Sequence, residues 1–209
     1  MPSKLVEASR GALREAAEVV RRGGLIIYPT DTVYGLGCDP LNPEAVEKVF
    51  QAKGRGGKPL PVLASDMEDV ERIAELSGIA SRLAEVFWPG PLTLVLPRKP
   101  VLPDALTCGL PSVGVRIPGH DFAIELIRAC GGLLVGTSAN KSGRPPPRTA
   151  QEALEELGEM VELIIDGGPA PLGVPSTVLD LTGPEPRLLR EGPIGLSDIL
   201  KVIEAVGGR

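Results

Sequence analysis

The chain has 209 residues, of which 43% are hydrophobic and 23% are charged, and its formal net charge is −5. This composition is typical of a soluble globular protein, and no apolar run approaches the roughly 20 residues of a membrane helix. The acidic balance and the 3% of aromatic residues argue against a dedicated nucleic-acid binder. An acid, Glu7, stands where a signal peptide would be apolar, which favours a cytoplasmic location.

Helices and strands are predicted in alternation along the first half of the chain. Apolar residues at helical spacing, with Gly23-Gly24 behind them, predict a first helix. Asn42 followed by Pro43 predicts the start of another helix, since these residues favour the cap and the first turn. The predicted order is a helix over 7–22, a strand over 25–28, a helix from 42, a strand over 60–64, a helix capped by Asp66 and a helical region over 81–87.

The second half predicts more strands, some of them consecutive. They cover 92–96, 113–117, 133–137, 161–165, 176–181 and 187–189, with helices over 122–130, 149–157 and from a Ser197 cap to about 206. This order predicts one α/β domain built on a twisted mixed sheet flanked by helices. The chain lacks G-x-G-x-x-G and G-x-x-x-x-G-K-[ST], so a standard Rossmann or Walker nucleotide site is not expected.

The cysteines and the histidine do not predict a catalytic or metal site. The cysteines, Cys38, Cys108 and Cys130, lack the close spacing of a redox or metal pair. The chain has one histidine, His120, directly before a predicted helix. We expect it to form a turn or cap that helix.

The segment 29–37 follows a predicted strand and carries two hydroxyl side chains two residues apart. Thr30 and Thr32 would face the same side of an extended chain. The alternative is a turn in which the hydroxyl groups satisfy local backbone groups, and spacing alone favours that alternative.

A basic, glycine-rich loop follows the helix that starts at Asn42. It carries Lys53, Arg55 and Lys58. Cations at this position can complement a helix dipole, which suits Lys53. A phosphate-binding loop would explain the cations and the glycines together, because Arg makes forked contacts and Gly permits close approach. The sequence leaves these interpretations evenly balanced.

Other polar residues lie at or near strand ends. Thr137, Ser138 and Asn140 follow a buried strand, where hydroxyl and amide groups can donate to phosphate oxygens or a ribose; an Asn- and Ser-rich turn is the alternative. Ser176 opens a later strand. Arg190 ends another beside an acid and is open to a surface salt bridge.

Arg116 lies in the apolar strand predicted over 113–117. An unpaired charge there would be costly, so it must face solvent, a protein partner or a ligand carboxylate.

Seven motifs occur in one order along the chain and together resemble the YrdC/Sua5 family, the threonylcarbamoyl-AMP synthases. The resemblance covers about 13–195. The motifs are PTDTVYGLG at 29–37, KGR at 53–55, WPGPLT at 88–93, VRIP at 115–118, TSAN at 137–140, STV at 176–178 and LREG at 189–192.

The resemblance implies synthesis of L-threonylcarbamoyladenylate from L-threonine, bicarbonate or CO2 and ATP, with release of pyrophosphate. It implies an α/β fold around a concave, positively charged cavity, and Mg2+ that accompanies ATP rather than a protein metal site. The product would serve downstream tRNA threonylcarbamoyl-transfer proteins that modify position 37. We also expect a weak contact between this chain and tRNA or other RNA.

The resemblance also assigns residue roles. The expected nucleotide-binding residues are Lys53, Arg55, Lys58, Ser138, Asn140 and Arg190, with Lys53 and Arg55 catalytic. The expected L-threonine-binding residues are Thr30, Thr32, Arg116, Thr137 and Ser176, with Arg116 on the carboxylate.

Two departures from the family pattern stand out. Some relatives carry a histidine near the stretch where this chain has Pro61, Val62 and Leu63. The chain also ends at Arg209, so we expect a single domain without the C-terminal domain of longer Sua5 proteins.

Two alternative functions remain. One is an RNA-binding or ribosome-assembly module, and the other is a carbamoyltransferase domain of the same fold.

Overall fold

A computed structural model describes residues 3–54, 57–76 and 78–207. Within them the chain forms eleven strands and eight α-helices. The strands are β1 (Lys4–Glu7), β2 (Ile26–Tyr28), β3 (Gly35–Gly37), β4 (Val62–Ala64), β5 (Leu92–Pro97), β6 (Ser112–Arg116), β7 (Leu133–Val135), β8 (Thr137–Ser138), β9 (Leu163–Asp166), β10 (Thr177–Asp180) and β11 (Arg187–Arg190). The helices are α1 (Arg10–Arg21), α2 (Pro43–Lys53), α3 (Met67–Ile73), α4 (Ile79–Phe87), α5 (Asp104–Thr107), α6 (Asp121–Ala129), α7 (Ala150–Leu157) and α8 (Leu196–Gly207).

Side-chain caps fix several helix starts. The Asn42 Oδ1 accepts from the backbone N–H of Glu44 at 3.0 Å and precedes Pro43 at the first turn of α2. The Asp66 side chain caps α3 in the same way, so both predicted caps are confirmed. The predicted Ser197 cap is wrong, because α8 begins one residue earlier and Ser197 lies inside it.

The strands divide between two mixed sheets. One has the order β1-β9-β2-β3-β8 and the other β11-β10-β5-β6-β4-β7. In both sheets parallel pairs such as β2 with β9 and β4 with β6 occur beside antiparallel ones such as β2 with β3 and β5 with β6. The predicted mixed α/β architecture flanked by helices is confirmed, and its strands form two sheets rather than one.

Gly136 lets the chain pass from one sheet to the other. The predicted strand over 133–137 is in fact β7 in the six-stranded sheet and β8 in the five-stranded sheet, with Gly136 between them. A Cβ at Gly136 would lie 2.4 Å from the Cγ of Leu63. Only glycine fits this close approach, and after the crossing β8 pairs with β3 at the edge of the five-stranded sheet.

Strands β1 and β3 have no counterpart in the sequence prediction. Strand β1 pairs with β9 at a sheet edge and is largely exposed, so it lacks a strong hydrophobic pattern. Strand β3 is Gly-Leu-Gly, a composition that disfavours strands. Glycine is required there because a Cβ at Gly37 would lie 2.7 Å from the Tyr28 ring.

A shared hydrophobic core holds the sheets together. Its larger part combines Ile27 and Leu36 of one sheet with Val62, Leu94 and Val115 of the other, all fully buried. Burial of such side chains stabilises a fold by about 1.5–3 kcal/mol each. Among the described residues, every helix is too short or too polar to cross a membrane.

Candidate functional site

Arg116 lies at the end of β6 and is buried, with 5% of its surface exposed. Its Nη1 donates to both carboxylate oxygens of Asp31, at 3.0 and 3.3 Å, and its Nη2 donates to the Thr32 Oγ1 at 3.2 Å. The ion pair is itself buried. The sequence left open whether Arg116 faces solvent, a protein partner or a ligand. In the structure it has a protein partner, Asp31, which lies 85 residues away along the chain.

Thr30 and Thr32 lie together beside Arg116, but in a bend rather than an extended segment. Their hydroxyl oxygens are 3.0 Å apart. The Thr30 hydroxyl also donates to the Val33 carbonyl oxygen at 2.7 Å and accepts from the Thr32 backbone N–H at 3.2 Å. The turn that spacing favoured is therefore present for Thr30, whereas the Thr32 hydroxyl turns toward Arg116.

The sequence predicted Lys53 on a loop, but in the structure it lies in a helix. It is the last residue of α2 and is 2% exposed. Its Nζ donates to the backbone carbonyl oxygens of Ser138 and Asn140, at 2.5 and 2.9 Å. The Lys53 ammonium group therefore holds the segment after β8 in place and brings a positive charge to it.

Asn140 presents an acceptor rather than a donor. Its Nδ2 donates to the carbonyl oxygens of Lys141, at 2.9 Å, and Arg144, at 2.7 Å. The sequence predicted that this amide group donates to phosphate oxygens, but its N–H groups are already used within the protein. The Asn140 Oδ1 is buried and has no hydrogen-bond partner within the described part of the chain. Buried acceptors are normally paired, so this oxygen is suited to a ligand that donates a hydrogen bond or to a cation.

Arg190, at the end of β11, is anchored by Ser176. Its Nε donates to the Ser176 carbonyl oxygen at 2.9 Å, and its Nη2 donates to the Ser176 Oγ at 3.0 Å. The Ser176 Oγ also lies 2.8 Å from the Thr93 Oγ1. Among the described residues Arg190 forms no salt bridge with Glu191, so that alternative is not realised.

Arg190 also lies within electrostatic range of Arg116. Desolvation of its guanidinium and, after that, the positive charge of Arg116 lower the pKa of Arg190. The residue stays charged at neutral pH because arginine titrates far above it. Through Ser176 and Thr93, Arg190 is connected to β5, which pairs with β6, the strand that ends at Arg116.

A backbone contact links this region to the segment after β8. The Ala139 N–H donates to the Tyr34 carbonyl oxygen at 2.9 Å, and Gly35 of β3 pairs with Ser138 of β8. The segments that carry Thr32 and Asn140 are therefore neighbours.

The remaining predicted residues are less well connected. Thr137 is 7% exposed in β8, opposite Leu36 of β3. Lys58 is exposed, and no hydrogen bond or ion pair joins it to another described residue. Arg55 lies outside the described residues.

Sequence reasoning missed Asp31 and Thr93 as site residues. Both lie inside motifs that it singled out, PTDTVYGLG and WPGPLT. The available signal was a charged residue between two threonines, Asp31, which is 5% exposed in the structure. Its partner could not be identified, because Arg116 is brought to it only by the packing of the sheets.

His120 caps α6, as predicted. Its Nδ1 accepts from the Ala123 N–H at 3.3 Å. Burial, the largest effect, lowers the pKa of His120, while the nearby carboxylates of Asp31 and Asp121 act in the opposite direction.

The lowered pKa of His120 predicts how stability depends on pH. The folded state disfavours the charged form of His120. The neutral imidazole therefore makes its full contribution to the unfolding free energy above the ordinary pKa of 6.5, and this contribution is lost as pH falls through the lowered pKa of the folded state. Asparagine at position 120 would cap the helix without titrating. We expect the unfolding free energy of the native protein to fall relative to His120→Asn in urea titrations below about pH 6.5; a constant difference between the two proteins would contradict this.

The chain is similar to known proteins over most of its length. A family model named Sua5_yciO_yrdC, with the description "Telomere recombination", matches residues 18–192. The curated threonylcarbamoyl-AMP synthase of Pyrococcus abyssi (strain GE5 / Orsay) is 46% identical over 193 residues, which cover 91% of this chain and 57% of the relative. The threonylcarbamoyl-AMP synthase of Bacillus subtilis (strain 168) is 41% identical over 197 residues, which cover 91% and 56%.

A crystal structure of P. abyssi Sua5 complexed with L-threonine has the same fold. Its TM-score is 0.94 at 42% identity, over 98% of this chain and 62% of that one. The chain thus spans little more than half the length of the curated relatives described above.

Proposed function

Since the chain belongs to the Sua5/YciO/YrdC family, we propose that it synthesises L-threonylcarbamoyladenylate from L-threonine, bicarbonate or CO2 and ATP. The observation that carries the proposal is that Arg116 contacts Thr32, whose segment adjoins the one that Lys53 holds, and that Arg190 lies within electrostatic range of Arg116. Two relatives are named for this activity, and the solved structure of P. abyssi Sua5 holds L-threonine.

L-Threonine would bind at the end of β6. Arg116 would contact its carboxylate, because a guanidinium makes planar, forked contacts with carboxylates. The hydroxyl of Thr32 faces the same place, with Thr30 behind it. Thr137 would also contact the amino acid. Ser176 would contribute mainly by anchoring Arg190, since its Oγ already accepts from that residue.

ATP would lie along the segment after β8, with Ser138, Asn140 and Arg190 as contacts. Lys53 would contribute its positive charge and the fixed backbone of that segment. Arg55 and Lys58, which follow α2 in the sequence, would contact the phosphates. Opposite charges placed in a site that excludes water stabilise the charge that develops on phosphorus.

Two bond-forming steps follow from this placement. The neutral amine nitrogen of L-threonine attacks the carbon of CO2 and releases a proton to solvent, or attacks the carbon of bicarbonate with loss of water; either route gives a carbamate. A carbamate oxygen then attacks the α-phosphorus of ATP, and pyrophosphate leaves. Neither step requires a nucleophile from the protein, so the described side chains act by orienting the reactants and stabilising charge.

Mg2+ would enter with ATP, since magnesium is usually held by phosphates, waters and one or two protein oxygens. The Asn140 Oδ1 fits this role. It is a buried amide oxygen whose acceptor capacity no described residue uses. The ion would neutralise phosphate charge.

The cellular role is part of the same proposal. The acyl adenylate would be passed to tRNA threonylcarbamoyl-transfer proteins that act on position 37, in the cytoplasm. A weak contact with tRNA belongs to this proposal as well.

The decisive experiment follows pyrophosphate release by the whole chain. We expect release only when ATP, L-threonine and bicarbonate are all present, because the phosphorus is attacked by the carbamate. Omission of L-threonine or bicarbonate in turn provides the control. Equal ATP cleavage without L-threonine, or ADP as the product, would contradict the proposal. Activity with carbamoyl phosphate instead of L-threonine would favour the carbamoyltransferase alternative.

A further inference from the structure

Asp31 is a buried carboxylate beside the proposed L-threonine site, and it has no role in the chemistry described above. We propose that Asp31 is a positioning residue, which fixes the Arg116 guanidinium so that its unused edge faces the substrate carboxylate. The inference rests on the proposed function, because it assumes that Arg116 binds that carboxylate.

The contacts of Arg116 leave part of the guanidinium unused. Asp31 takes up Nη1, through both of its oxygens, and Thr32 accepts from Nη2. A guanidinium has five N–H groups in one plane. At least two of them remain after these contacts. Because the bonds to Asp31 and Thr32 define the plane, the direction of the remaining N–H groups is defined as well.

Asp31 itself is held in place. The Leu172 N–H donates to its backbone carbonyl oxygen at 3.0 Å. Gly119 is a near neighbour of its side chain, since a Cβ there would lie 3.4 Å from the Asp31 Oδ2, an ordinary contact distance. The backbone bond from Leu172 and the burial of the side chain restrict the position from which Asp31 orients Arg116.

Asp31 also balances the charge of the site. Arg116 and Arg190 approach each other closely enough for the charge of one to affect the other. Removing a single partner from a buried ion pair leaves an uncompensated charge. With Asp31 present, the Asp31–Arg116 pair is neutral, so a ligand carboxylate is recognised by directed hydrogen bonds more than by net charge.

Asp31→Asn in the whole chain tests the proposal. Asparagine has nearly the same shape but lacks the charge. We expect the calorimetric Kd for L-threonine to rise at least about tenfold, while the KM for ATP changes little. Asp180→Asn is the matched control, since it breaks the Asp180–Arg187 pair at the far end of β10. It should leave the L-threonine Kd unchanged.

A double-mutant cycle shows whether Asp31 acts through Arg116. In an Arg116→Lys background, Asp31→Asn should weaken L-threonine binding far less than in the native chain, because coupled residues are not additive. Additive losses would overturn the proposal. If the Asn variant does not stay folded, Asp31→Glu displaces the carboxylate and keeps its charge; a several-fold weaker L-threonine affinity supports the proposal, and an unchanged one overturns it.

The outcomes separate this inference from the function on which it rests. Failure of the native protein to bind L-threonine would overturn both. Normal binding by the native protein and equally tight binding by a folded Asp31→Asn variant would overturn the positioning role alone.

Discussion

Replacing Arg116 with lysine is expected to raise the KM for L-threonine at least about tenfold, which corresponds to roughly 1.4 kcal/mol. Lysine keeps the positive charge but loses the planar fork. Its ammonium group would also have to serve the buried carboxylate of Asp31 before any ligand. The KM for ATP should change little. Steady-state titration of each substrate against the variant measures both constants.

Arg190→Lys is the matched comparison, because it removes the other guanidinium near the site. It should affect the KM for ATP more than that for L-threonine. If Arg116→Lys changes the ATP constant and leaves the L-threonine constant unchanged, Arg116 belongs to the nucleotide and the proposed division of the site is wrong.

Strong local signals allowed much of the fold to be predicted. The Asn42-Pro43 start of α2 and the Asp66 cap of α3 depend on side chains that bond to backbone groups only two or three residues away. The strands near 92–96 and 113–117 were recognised because they are apolar and flanked by turn residues. Local chemistry thus identified most of the elements, within a few residues at their ends.

The sequence could not predict how the elements meet. The crossing at Gly136 depends on the close approach of Leu63, from a strand more than 70 residues earlier. The residues around Gly136 do not indicate this contact. The run Leu-Leu-Val-Gly-Thr at 133–137 therefore predicted one strand where the structure has two.

The site shows the same limit. Arg116 was recognised as unusual because a charge in an apolar strand needs a partner, but Asp31 lies 85 residues away. Lys53 was interpreted from its neighbours as a loop cation, whereas its Nζ bonds to carbonyl oxygens 85 and 87 residues away. Residue types favoured a phosphate or carboxylate ligand as a hypothesis, and tertiary contacts determine which atoms of these residues already have a protein partner.

Lys53→Met is expected to lower both stability and activity. Methionine has a similar length but no donor, so the carbonyl oxygens of Ser138 and Asn140 lose the bonds that Lys53 gives them. A buried acceptor without its partner costs about 1–3 kcal/mol, and relief from burying a charge offsets part of this. A net loss of roughly 2 kcal/mol would lower the Tm by about 4–8 °C. The KM for ATP should rise because the segment after β8 is no longer held.

Lys48→Met on the same helix is the control for Lys53→Met. Lys48 is exposed, and its Nζ donates to the backbone carbonyl oxygen of Gly23 at 2.7 Å. The substitution therefore removes a lysine–carbonyl bond from α2 without touching Ser138 or Asn140, and a surface change of this kind usually shifts stability by about 0.5 kcal/mol or less. Thermal unfolding and ATP titration of both variants decide the role of Lys53. A native Tm with a raised ATP KM would mean that Lys53 acts on the nucleotide directly, and native values of both would remove Lys53 from the site.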